Sequence, residues 1–192
     1  MQVNGIVLAG GKSSRMGTNK SLLPIDGKPS ITHVTNELKK FSQQTAVITN
    51  DPASYTFLEL DMYSDRYEGM GPLAGIEAGL HYSSADVCAF AACDMPFIDR
   101  KVYRLLLQSM GSYDAVIPVY DNKMHPLAGV YRKRVLPRIQ NLLDDDQRKV
   151  RTLFRHINVL YVSDYKNIPS HVQEKHFFNM NNRDQYKEAK HL

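Results

Sequence analysis

A largely apolar run from Val3 to Ala9 stops at Gly10-Gly11, and the chain beyond it alternates between short β-rich runs and helical patterns. An opening strand with no polar face is buried on both sides, as in a parallel sheet covered by helices. Ile31, Val34, Leu38 and Phe41 then recur at helical spacing after Pro29, and Thr45 to Thr49 is a second β-branched run closed by Asn50-Asp51-Pro52. Strand, helix and strand in that order predict a βαβ unit. Helical patterns follow over residues 73–82 and 102–110, with weaker ones over 135–143, 153–156 and 184–189. Further strands are predicted over 87–92, 115–119, 127–131 and 159–162. No window repeats at a fixed period, and no linker long enough to divide the chain is visible. The sum is an open α/β sheet with helices on both faces, and at 192 residues one domain is expected.

Hydrophobic residues make up 43% of the chain and charged residues 23%, the balance of a folded domain and not of a disordered one. The formal charge of +4 favours anionic ligands. Its basic residues are scattered and not interleaved with aromatics, so no nucleic-acid partner is expected. Cys88 and Cys93 form no CxxC pair and lie in an apolar run, which predicts reduced core thiols. No stretch approaches a membrane span, and the N-terminus has no basic segment before its apolar run, so a cytoplasmic location is expected.

In open α/β sheets ligands bind beyond the carboxyl ends of the strands, which directs attention to the loops after Ala9, Thr49, Ala92 and Val119. The first of these carries Gly10, Gly11 and Gly17 together with Lys12, Arg15 and Lys20. Glycines expose backbone N–H groups to an anion, and the cations add charge. A tight turn alone would need the glycines but not the three basic residues. Neither common phosphate motif fits. A Walker A loop ending at Gly11-Lys12-Ser13 would require glycine where Ile6 stands, and the adjacent Gly10 and Gly11 break the GxGxxG pattern. An NTPase of the P-loop type and a nicotinamide enzyme are thereby disfavoured.

The stretch LAGGKSSRMGTNKSLLPIDGKP, residues 8–29, resembles the signature of the MobA family, the molybdenum cofactor guanylyltransferases, within the wider group of nucleotidyltransferases. Further similarities follow in the family's order: Gly71-Pro72-Leu73-Ala74-Gly75, Cys93-Asp94-Met95-Pro96, His125-Pro126-Leu127 and Phe178-Asn179-Met180-Asn181. Together they span nearly the whole chain. The resemblance implies a Rossmann-like three-layer fold, a mostly parallel twisted sheet in a single nucleotidyltransferase domain over residues 1–192.

It also implies roles. Leu8, Ala9, Gly10, Gly11, Lys20, Asn50, Asp65 and Asp94 would bind nucleotide. Asp94, at a strand's carboxyl end, would hold Mg²⁺, a hard cation that takes one or two carboxylates together with phosphate oxygens. Arg15, Lys20 and Asp94 would be the catalytic group, the arginine's fork suiting bidentate phosphate contact. Gly71, Gly75, Asn179 and Asn181 would face the pterin substrate. The run after Asn181 reads Asn182-Arg183-Asp184 where the family commonly has Thr-Pro-Glu, and helix capping ahead of Asp184 is the competing role for these asparagines. Asn50 could equally serve the turn before Pro52. His125 is expected to support the site wall, and the remaining histidines to lie at the surface, since none is spaced like a metal-ligand pair.

The implied reaction moves GMP from GTP to the terminal phosphate of molybdopterin and releases pyrophosphate. The double glycine Gly10-Gly11 after Leu8-Ala9, where cytidylyl relatives usually carry LAAG, would make room for guanine. Cytidylyl transfer to the same pterin, sugar-phosphate nucleotidyl transfer and a non-catalytic nucleotide-binding adaptor are the alternatives. Transient contact with molybdopterin-delivering proteins or molybdoenzymes is a further expectation.

Overall fold

The structure, a computed structural model, describes residues 2–10, 19–165 and 167–192. In chain order these form β1 (Val3–Leu8), β2 (Pro24–Ile25), β3 (Lys28–Pro29), α1 (Ser30–Lys39), β4 (Gln44–Ile48), β5 (Asp61–Tyr63), α2 (Gly71–Tyr82) and β6 (Val87–Ala92). There follow α3 (Arg100–Gln108), β7 (Ala115–Tyr120), β8 (Lys123–Met124), β9 (Val130–Arg132), α4 (Leu136–Asp144), α5 (Val150–Leu153), β10 (Val159–Val162), α6 (Ser170–His176) and α7 (Arg183–Ala189).

The described residues build an eight-stranded sheet of order β10-β7-β9-β6-β1-β4-β5, with β8 paired to β7, and a separate β2-β3 hairpin. β1 lies between β4 and β6 and is parallel to both. β5 continues the parallel run beyond β4, and β10 pairs parallel with β7. β9 alone runs antiparallel within the main path, between β6 and β7. The chain therefore leaves β1 toward β4 and returns on its other side as β6. That reversal opens a crevice at the carboxyl ends of β1 and β6, where ligands bind in such sheets.

Alternation along β1 sorts the two cores. Val3 and Val7 join Ile31, Val34 and Leu38 of α1 and Val102 and Leu106 of α3. Ile6 and Leu8 point the other way, into Leu73, Ile76 and Leu80 of α2 and Ile139 and Leu142 of α4. Each fully buried Ile, Leu or Val contributes about 1.5–3 kcal/mol, so the central strand is fixed from both faces. Close approach on the α2 side depends on Gly79. A Cβ there would sit 2.6 Å from Phe90 Cε1 and 2.8 Å from Ile6 Cγ2.

Two predicted elements are displaced. A 3-10 turn over Pro126–Ala128 takes the first two residues of the expected 127–131 strand, and the strand is β9. Pro126 opens that turn and has no N–H to give a ladder. The helix expected at 153–156 is α5, which begins earlier at Val150 because Val150 and Leu153 are its buried pair. β5 and α6 were not anticipated: three and seven residues leave little room for a period to show.

Candidate active site

The register brings Leu8 level with Ile48 on one side and Ala92 on the other. Just beyond, Ala9 N donates to Ile48 O at 2.9 Å, and Cys93 N donates to Leu8 O at 3.1 Å. Gly10 and Asp94 thus emerge side by side from neighbouring strands. Gly11 and Arg15, both assigned from the loop motif, lie outside the described residues, as does Lys12.

Asp94 Oδ1 is buried and has no hydrogen-bond partner among the described residues. Burial raises the carboxyl's pKa from its ordinary value, opposed by hydrogen bonding to its own backbone N–H and by the ammonium of Lys20. That opposition places Lys20 within electrostatic reach. Its backbone is held firmly: Asn19 Oδ1 accepts from Ser21 N at 3.2 Å and from Ser21 Oγ at 2.7 Å. Asn19 Nδ2 donates to the Tyr55 hydroxyl at 2.8 Å, which also bonds Ser21 Oγ at 2.8 Å. Ser30 Oγ donates to Lys20 O at 3.3 Å from the start of α1. The lysine therefore leaves a fixed turn, within electrostatic reach of the carboxylate.

A second cluster lies beyond β4 and β5. Asn50 Oδ1 accepts from Asp65 N at 3.0 Å, and Asn50 Nδ2 donates to Asp65 Oδ2 at 3.3 Å. Burial raises the Asp65 pKa, with Glu77 and Glu68 pushing the same way and the Asn50 bond opposing. Gly75 faces this pair: a Cβ there would lie 3.2 Å from Leu8 Cδ2 and 3.9 Å from Asp65 Oδ1. Gly75, assigned to the pterin side, thus stands with residues assigned to the nucleotide. Gly71 has a φ of +71°, a left-handed conformation that disfavours any side chain, and its Cβ direction points at Arg148 O, 3.9 Å away.

The C-terminal run reaches the first cluster through its backbone. Met180 N donates to Asp94 O at 2.8 Å, and Met180 is fully buried. Asn179 and Asn181 flank that bond. Asn182 does the capping, its Oδ1 accepting from Gln185 N at 2.9 Å, so the other two are free of that duty. Asn179 Nδ2 donates locally to Phe177 O at 2.9 Å.

The model of the MobA-like NTP transferase domain matches residues 5–160. The chain belongs to that family. A probable molybdenum cofactor guanylyltransferase of Carboxydothermus hydrogenoformans is 34% identical over 171 residues, 89% of this chain and 86% of its own. The crystal structure of molybdopterin-guanine dinucleotide biosynthesis protein A from Archaeoglobus fulgidus superposes with a TM-score of 0.82 at 28% identity, covering 98% of this chain and 97% of that one. Rv0371c from Mycobacterium tuberculosis, solved in complex with manganese, shares the fold at a TM-score of 0.69 and 14% identity, covering 100% and 99%. These likenesses bear out the guanylyltransferase reading and the α/β nucleotidyltransferase fold. The chain is a nucleotidyltransferase.

In this MobA-like transferase the domain match ends before the asparagine run, which the Met180–Asp94 bond nevertheless brings to the site. Other participants carried no sequence signal. Tyr55 braces the Lys20 turn from a segment just past the Asn50-Asp51-Pro52 turn, to which the sequence pattern assigned no element. Arg66 Nη1 donates to the fully buried Glu77 Oε1 at 2.7 Å, and Gln140 Nε2 donates to the same oxygen at 2.9 Å, anchoring the residue next to Asp65. His125 packs its ring 4.7 Å from Phe177, as a wall residue would. The expectation of surface histidines fails at His176, which is fully buried: it lies on the inward side of α6, a helix not anticipated. Cys88 and Cys93 are free thiols, and burial pushes their pKa values to about 11 and about 12.

Proposed function

We propose that the chain transfers GMP from GTP to molybdopterin, with the nucleotide lodged between the turn leaving β1 and the loop leaving β6. One observation carries this reading: a buried, unpartnered carboxylate oxygen on Asp94, in the loop that leaves β6 level with the backbone of Ala9 and Gly10 and within electrostatic reach of Lys20. A buried carboxylate oxygen without a hydrogen bond keeps its charge only when something cationic completes it, and the carboxylate suits a hard divalent ion that shares phosphate oxygens. We assign that ion to Mg²⁺ on Asp94. When bound, it neutralises charge on the phosphate oxygens of the nucleotide.

The terminal phosphate of molybdopterin is already anionic at neutral pH and needs no general base. It attacks the α-phosphorus of GTP in line; the new P–O bond forms as the bond to the β-phosphate oxygen breaks, and pyrophosphate leaves. What the protein supplies is orientation and charge compensation. Lys20 and the N–H of Gly10 would face the triphosphate, and Arg15 and Gly11, assigned from the loop motif alone, would add charge and a further N–H donor. Leu8 and Gly75 wall the nucleotide side, and the bonded pair Asn50 and Asp65 offers it polar contacts. Asn179 and Asn181, with Gly71, receive the acceptor.

Pyrophosphate release tests this directly. With GTP and molybdopterin together, release is expected at enzymatic rates, with little from GTP alone and little when CTP or ATP replaces it. Release with CTP at the GTP rate, or equal release with no acceptor, contradicts the assignment.

A further inference from the structure

The Asp94 loop and the asparagine run touch at three places. Met180 N donates to Asp94 O at 2.8 Å at one end. The Phe97 and Phe178 rings meet in the middle, with centroids 6.0 Å apart. At the far end Asp99 N donates to His176 Nδ1 at 2.8 Å. Asp99 is itself fixed, because its carboxylate caps α3 by accepting from Lys101 N at 2.7 Å. The loop leaving β6 and the connection between α6 and α7, distant in sequence, are therefore stitched along their length.

His176 is an unusual choice for such a place. It is fully buried, its Nε2 has no hydrogen-bond partner among the described residues, and the rings of Tyr103 and Phe177 lie 5.5 Å and 4.6 Å from it. A leucine would fill the same space without stranding a polar nitrogen. What leucine cannot offer is an acceptor for the Asp99 peptide. Accepting at Nδ1 requires the ring to be neutral with its proton on Nε2, since an imidazolium would set N–H against N–H. Burial favours that neutral form, and His125 nearby acts in the same direction.

We propose that His176 is a positioning residue: by accepting from the Asp99 peptide it locks the asparagine run to the Asp94 loop and so sets the seat of the acceptor substrate. The proposal rests on the guanylyl-transfer reading above. The ring touches no reacting atom. It acts through Phe177, which stacks on Tyr120 at 4.7 Å and leads directly into Phe178 and Asn179.

Two amide variants of the same chemistry separate this role from mere filling. Asn in place of His176 puts an acceptor near the Nδ1 position, whereas Gln puts it one bond further out. His176→Gln and His176→Ala should lower kcat/KM for molybdopterin about tenfold, the size of one misplaced hydrogen bond, with GTP affinity within about twofold of wild type. His176→Asn should recover most of that loss. Equal loss in the Asn and Gln variants, no loss in either, or a matching loss of GTP affinity overturns the proposal. If the Ala variant does not fold, the Asn and Gln pair decides. Wild-type enzyme in the same assay keeps the two questions apart: its own failure to release pyrophosphate would count against the reaction, not against His176.

Discussion

An ionised carboxylate that loses water must find hydrogen bonds or a cation, and Asp94 Oδ1 is buried without a hydrogen bond among the described residues. Replacing Asp94 by Asn removes that charge. Turnover should drop about 10²–10³-fold, as when a stabilising group at a developing charge is lost, while the apo protein melts at or above the wild-type temperature. Lys20→Ala should lose turnover on a similar scale with a small change in melting. Turnover within a few-fold of wild type in both variants would remove these side chains from the reaction. His176 carries its own prediction, in pH. Burial brings its pKa down to about 3, against about 6.5 in the unfolded chain. Below about pH 6.5 the unfolded chain therefore takes up a proton that the folded one refuses, and stability falls by up to about 1.4 kcal/mol per pH unit on the way down toward pH 3. Denaturant unfolding of wild type and His176→Asn between pH 7 and pH 4 should show a shallower decline in the variant; parallel curves would mean that the ring takes up its proton without strain. At this scale the sequence singled out residues that sit in dense motifs, Lys20 and Asp94, which the fold brings within electrostatic reach of each other. It gave no role to Tyr55 or Glu77 and expected His176 at the surface, because the surroundings of all three come from neighbours far along the chain.

Elements were legible in proportion to their length and to the regularity of their burial. β1, β4 and β6 are covered on both faces, so their apolar runs show plainly, and α1 shows the 3.6-residue stripe of a helix with one buried side. α2 is buried over nearly its whole circumference from Leu73 to Leu80, and its glycines mark where it presses on the sheet. Gly79→Ala should destabilise by about 1–3 kcal/mol, because the added methyl meets Phe90 and Ile6 below contact distance and a filled core yields slowly. Its melting temperature measures this; an unchanged value would mean that α2 can ride outward freely. Short pieces escaped the sequence. β5 offers three residues, and β9 begins only after the proline turn at Pro126 has broken the apparent strand.

For the molecule as a whole, the reversal of direction at β1 accounts for where the proposed site lies. Strands added toward β4 supply Asn50 and Asp65; the return toward β6 supplies Asp94; and the C-terminal run closes over the Asp94 loop through Met180, Phe178 and His176. The order of helices and strands could be read from periodicity, and the loops after Ala9, Thr49 and Ala92 could be singled out from the rule for open sheets, but the stitching of the C-terminal run to the Asp94 loop could not, since it depends on contacts between segments distant in the chain. Among the described residues no helix is long and apolar enough to cross a membrane. The most direct test of a single nucleotide site is a crystal of the protein grown with GTP and Mn²⁺, read by the manganese anomalous signal. The metal is predicted on the Asp94 carboxylate, with the triphosphate lying between the turn after Ala9 and the Lys20 ammonium. Manganese away from Asp94, or a guanine nucleotide bound at any other edge of the sheet, would contradict the account.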